Sequence, residues 1–97
     1  MAASVTTTDL YEASFYLLAG CELEGIEAER QGEAIICRLT FRGEKLLDLQ
    51  RRYFAGEGAV PIYAFRRTFG RVNALVRTAK KKAKSRLERE RSEGVGL

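Results

Sequence analysis

The sequence predicts an α+β domain with the element order α-β-β-α-α, an antiparallel two-stranded hairpin packed by three helices, the last of them long and basic. Three observations carry this prediction. Residues 61–91 place Ile62, Phe65, Phe69, Val72, Val76, Ala79 and Ala83 at alternating spacings of three and four, which is one stripe of an α-helix. Residues 33–42 alternate with period two instead: Ile35, Cys37, Leu39 and Phe41 face one way, Arg38, Thr40 and Arg42 the other. Glycines at positions 20, 32, 43 and 56 separate the periodic segments.

Taken in order, residues 1–7 are small and polar and are expected to fray. Thr8 or Asp9 caps the first helix, and Glu12, three residues after Asp9, makes an acidic variant of the capping box. The buried stripe of this helix is Leu10, Ala13, Leu17 and Leu18, flanked by Tyr11, Phe15 and Tyr16. Gly20 suits the left-handed position past its end. Residues 22–30 form the first hairpin strand, apolar at Leu23, Ile26 and Ala28, with the alternation broken near Gly25 as at a β-bulge. Gln31-Gly32 is the expected turn. Residues 43–56 read as the second helix, with Leu46, Leu49, Tyr53 and Phe54 inward.

Pro61 is expected at the first position of the third helix, where its missing N–H is not needed. Gly70 interrupts that helix at up to about 1 kcal/mol relative to alanine, and close packing against a neighbour, or a mild kink, is the expected reason. Beyond Ala79 the apolar stripe thins to Ala83 and Leu87, and Gly94 and Gly96 end the charged run. The expected division is residues 1–79 as a single α+β domain and 80–97 as a basic helical extension or tail, helical to about Arg91 and more ordered on a partner.

Ninety-seven residues suffice for one domain with a real core, and an apolar share of 45% excludes a wholly disordered chain. No apolar run approaches the roughly 20 residues that cross a bilayer, and the N-terminus lacks the pattern of a signal peptide. Cys21 and Cys37 are too few to staple a scaffold, so a reduced, cytoplasmic protein is expected, without a membrane partner. The open edges of a lone hairpin, with Ile36 on its far face, make pairing through the hairpin edge the expected route to a symmetric homodimer.

The chain has no histidine, which removes the commonest general base and the Ser/His and Cys/His nucleophile pairs. Two cysteines without further soft ligands make no metal site and read as packing residues. Glu22, Glu24, Glu27, Glu29 and Glu33 line the hairpin; paired carboxylates can do acid–base work, but with no pocket implied they read as a solvated face. Gly56-Glu57-Gly58 follows no strand and lacks the third glycine of a dinucleotide fingerprint. The expectation is a non-enzymatic protein with no cofactor, no metal and no small-molecule substrate.

The net charge of +4 conceals an asymmetry. Residues 1–50 carry four basic side chains against nine acidic, −5, and residues 51–97 carry thirteen against four, +9. The candidate phosphate-contacting residues lie on the third helix: Arg66, Arg67, Arg71, Arg77, Lys80, Lys81, Lys82, Lys84 and Arg86. Engaging roughly four to seven phosphates would release counterions with a salt slope of about −4 to −6. Tyr63 and Asn73 add stacking or hydrogen-bonding groups, but no base-reading code is present, so binding is expected to tolerate any sequence. Two readings stand beside this one: a solvated basic helix kept for solubility, and an adaptor whose helix docks on an acidic protein surface, its own hairpin included.

Several short stretches also resemble a small uncharacterised family of bacteria, archaea and their phages. They are Thr8-Asp9-Leu10 with Ala13, Leu17-Leu18, Gly20 and Leu23, then Leu39-Thr40-Phe41, Tyr53-Phe54-Ala55-Gly56-Glu57, Val60-Pro61 and Phe65. The resemblance covers roughly residues 7–78. It implies a compact α+β domain of prokaryotic or phage origin and transfers no functional residue. The readings together lead to a nucleic-acid-binding accessory protein of a bacterium, phage or mobile element.

Overall fold

The N-terminal residues expected to fray form a strand. The computed structural model describes residues 2–95, with side chains described through Glu90. Its elements are β1 (Ala3–Thr7), α1 (Leu10–Leu18), β2 (Glu22–Gln31), β3 (Ala34–Gly43), α2 (Leu46–Phe54) and α3 (Ile62–Val95). Gly96, expected to help end the last helix, lies outside the described residues.

β1 pairs antiparallel with β3 from Ala3 opposite Gly43 to Thr7 opposite Leu39, so the expected two-stranded hairpin is a three-stranded sheet in the order β1-β3-β2. The reason is in the residues. Valine and threonine fit a pleated surface, and the segment alternates, Val5 and Thr7 buried, Ser4 and Thr6 exposed. The hydroxyls of Thr6 and Thr40 meet across the pair at 2.9 Å. β3 becomes the central strand, and β1 closes its edge as far as Leu39.

The α+β architecture and the long C-terminal helix are as expected. Cys37, Leu39 and Phe41 of β3 are buried under the helices. The bulge falls where the glycine pointed, with a register shift between Leu23 and Gly25. The turn shifts by one residue to Gly32-Glu33. Gly32 has φ +64° and, among the described residues, no non-glycine residue has positive φ, the pattern of a type II′ hairpin turn with glycine first. Gly20, at φ +92°, takes the left-handed position after α1.

All three helices cover one face of the sheet, and α1 lies between the other two. Asp9 caps α1, accepting from the backbone N–H of Tyr11 at 2.9 Å and of Glu12 at 3.4 Å. Glu12 does not reach back to complete a capping box. Thr7 Oγ1 accepts from the Asp9 N–H instead, at 3.0 Å, and the Glu12 carboxylate turns into the core. There it accepts from the hydroxyls of Thr7 at 2.8 Å and Tyr16 at 2.5 Å, which satisfies a carboxylate only 4% exposed. Tyr53 of α2 donates to Asp9 at 2.8 Å, tying the third element into the same network.

α1 meets α3 through stacked rings: Tyr11 lies 4.7 Å from Phe69 at an interplanar angle of 6°, and Phe65 lies 6.3 Å from Phe69. Two expected inward residues point out. Phe54 is 69% exposed and Ile62 79%, because the partners of their helices already cover the faces set by Leu46, Leu49 and Tyr53 and by Phe65, Phe69 and Val72. Pro61 stands one place earlier than expected: its carbonyl accepts from the Phe65 N–H at 2.9 Å, which makes it the cap of α3. A Cβ at Gly70 would meet nothing within 4 Å, so close packing is not why glycine stands there.

Candidate nucleic-acid interface

α3 is seated on the hairpin by a narrow strip of its circumference. Val72, Val76 and Ala83 are buried, with Ala79 half-buried between them. Cys37 of β3 brings its thiol within 3.9 Å of the Val76 carbonyl, and Ile26 and Ala28 of β2 face Ala79 and Ala83 across a shallow groove. The helix runs unbroken through positions 79 and 80, and its backbone remains helical to Val95.

At 3.6 residues per turn, a strip this narrow leaves most of the helix circumference to solvent. All nine candidate residues, Arg66, Arg67, Arg71, Arg77, Lys80, Lys81, Lys82, Lys84 and Arg86, are exposed. They do not form one surface. Arg67, Arg71, Lys81 and Lys82 lie on the ridge opposite the buried strip, and the same periodicity adds Thr78, Ser85 and Arg89. Arg66, Arg77, Lys80 and Lys84 lie on one flank. Arg86 lies on the other flank, beside Ile26 and Ala28. The ridge from Arg67 to Arg89 spans about 33 Å at ~1.5 Å per residue. At its start the Arg67 guanidinium sits 6.0 Å from the centroid of the Tyr63 ring.

The carboxylates of β2 do not answer these charges. Glu22 stands opposite Arg42 and Glu27 opposite Arg38, on the sheet face away from α3, and Glu29 forms an ion pair with Arg38. Ser4 donates to Glu24 at 3.2 Å on that same face. Asp48, its carboxyl held below the usual range first by the Arg51 hydrogen bond, pairs with Arg51 at 2.6 Å and Arg52 at 3.1 Å within α2. Among the described residues, no ion pair within 4 Å involves a cation of α3.

The flank of Arg77, Lys80 and Lys84, with Lys81 at its border with the ridge, forms an open groove of about 760 Å³ against the hairpin tip. Arg30, Ala34 and Ile35 line its far side, and Glu33 and Glu88 set two negative charges among the cations. The Arg30 side chain is fixed by donating to the Gly32 carbonyl at 2.8 Å. Among the described residues a shallow concavity along the ridge is lined by Thr78, Lys81, Lys82, Ser85, Arg86 and Arg89, with no carboxylate in its lining. Hydroxyls and cations without an intervening acid are the better match to a run of phosphates.

Arg89, Thr78 and Ser85 were accessible from the helical period alone, had it been followed past the apolar stripe. Arg30 was not, because only the hairpin turn carries it to α3. Cys21 and Cys37 are free thiols, both buried, and burial pushes their pKa values up. No group of three or more metal-ligating side chains occurs among the described residues. Among them no helix is long and apolar enough to cross a membrane.

No family model, no curated protein and no solved structure matches this chain. The resemblance noted in the sequence therefore adds nothing to the site, which rests on its own geometry.

Proposed function

We propose that this is a small, non-enzymatic nucleic-acid-binding accessory protein, acting in the cytoplasm of a bacterium, phage host or mobile-element carrier, and that it contacts phosphates through the ridge of α3. One observation supports this above the others. The exposed cations of α3 have no ion-pair partner among the described residues, while Glu22, Glu24, Glu27 and Glu29 of β2 lie on the opposite face of the sheet. Unpaired cations in a row displace the counterions condensed on phosphates more cheaply than cations that must first leave a carboxylate. Arg67, Arg71, Lys81, Lys82 and Arg89 contact phosphates, and Thr78 and Ser85 donate hydroxyls to the same strand.

The chemistry is sequence-tolerant, since none of these side chains is held in a bidentate pose for a base edge. Fluorescence anisotropy with labelled duplexes of two unrelated sequences, over 50–300 mM salt, tests it. Equal affinity for both sequences and a steep salt dependence are expected. Absence of binding at 50 mM salt would sink the proposal and favour the adaptor reading, in which α3 docks on an acidic protein surface.

A further inference from the structure

The edges of the sheet are not equally protected. β2 carries Glu22, Glu24, Glu27 and Glu29, and charges along an edge strand discourage a further strand. β1 occupies the other side of β3, but only from Gly43 to Leu39. β3 begins at Ala34, and over Ala34–Arg38 it pairs with β2 alone. Among the described residues no backbone hydrogen bond from another segment reaches these five. Ala34-Ile35-Ile36-Cys37-Arg38 contains no proline and no bulge, and its two isoleucines favour extended backbone. Backbone N–H and C=O groups left unpaired along such a segment are a template for another strand.

α3 sets the chemistry of whatever pairs there. Ala34 and Ile35 of the uncovered segment line the open groove whose other wall is the Arg77, Lys80 and Lys84 flank. Five cations and two carboxylates line that groove, a surplus of three positive charges. A second copy of the chain, paired antiparallel along this edge, would bring its own groove to the same face of the joined sheet, because the two-fold axis of such a pair stands perpendicular to the sheet. Five cations would then approach five, which disfavours that occupant. A nucleic-acid strand has no ladder of N–H and C=O groups to offer the edge.

We infer that the occupant is an extended acidic segment of a partner protein, which adds a strand beside Ala34–Arg38 and turns its carboxylates toward α3. Main-chain pairing holds the segment, and the groove selects its charge. Alternate side chains of a strand share a face and stand about 7 Å apart. Arg77, Lys80 and Lys84 extend over ~10 Å of helix, a length that two successive carboxylates on one strand face match. The residues between them fall on the other face of the sheet, beside the half-buried Ile36, where an apolar side chain packs. The recognised pattern is therefore acidic and apolar residues in alternation. The inference does not rest on the nucleic-acid reading, since it uses the groove flank and leaves Arg67, Arg71, Lys82 and Arg89 of the ridge to a second ligand.

The test is the anisotropy of a fluorescein-labelled, end-blocked seven-residue peptide alternating glutamate and valine, titrated with the full chain to 1 mM at 50 mM salt. Saturable binding is expected, with hydrogen exchange slowed at backbone amides within Ala34–Arg38. Two changes are each expected to weaken it at least tenfold: proline in place of the peptide's central valine, which removes a ladder donor, and Lys80→Glu with Lys84→Glu in the protein. Arg71→Gln, Lys82→Gln and Arg89→Gln together, on the ridge, are expected to leave the affinity within about threefold. No binding at 1 mM would overturn the inference. Equal binding of the proline peptide would overturn it too, since attraction would then act without strand pairing, as would a loss confined to the ridge variant.

Discussion

Replacing Arg71, Lys82 and Arg89 together with glutamine is the sharpest perturbation of the proposed contact. Among the described residues none of these three ridge cations has an ion pair to lose. The ridge holds five cations, so the unmodified protein should show a slope of log K against log salt of about −4.5, at ~0.9 per phosphate. Removing three leaves two, a slope of about −1.8. Each lost contact also removes about 0.9 log units of affinity at 0.1 M salt relative to 1 M, so the triple variant should bind roughly 500-fold more weakly there. The matching control substitutes Arg66, Arg77 and Lys84, on the groove flank, and should keep the slope within about one unit of the original. Anisotropy titrations at five salt concentrations resolve these differences, and a circular dichroism melt checks that both variants fold. If both triples change the slope equally, the charges act as a diffuse cloud and the ridge is not the contact. If neither changes it, α3 is not the binding element.

Further expectations concern the body of the domain. Gly70→Ala should stabilise by up to about 1 kcal/mol in urea denaturation, since the added Cβ meets nothing within 4 Å. Gly58→Ala should do the reverse by about 1–3 kcal/mol, because its Cβ would approach the buried Phe15 ring to 2.9 Å. Tyr16→Phe leaves the buried Glu12 carboxylate one donor short and should cost about 1–3 kcal/mol. Burial first, and the hydrogen bond to Asp9 second, push the Tyr53 hydroxyl up to about 12. The folded state therefore holds this proton more tightly than the unfolded chain. The stability it contributes is complete below about pH 10 and is lost as pH rises through about 12. Tyr53→Phe should flatten the alkaline fall in stability measured between pH 9 and 12.

The helices were legible because each buries one face only. The i, i+3, i+4 pattern survives in Phe65, Phe69, Val72 and Val76, and glycines stand at the left-handed positions that end α1 and α2. β3 was legible for the same reason in period two. β1 was not, because five uncharged residues with one buried valine look the same in a frayed terminus and in an edge strand. Only the presence of β3, thirty-odd residues later, decides between them. Phe54 and Ile62 were misplaced by a related limit: a helix pattern orders side chains around an axis but does not say how many neighbours the helix has.

The candidate site shows that limit most clearly. Nine cations could be named from the sequence, but their division into a ridge, a groove flank and a sheet-side residue follows from where Val72, Val76 and Ala83 are seated. The acids were the more consequential ambiguity. A −5 half and a +9 half could have neutralised each other. Strand parity settles their placement: with Leu23, Ile26 and Ala28 turned toward α3, Glu22, Glu27 and Glu29 must point away from it, toward Arg38 and Arg42. The same carboxylates that fail to reach α3 also guard the β2 edge.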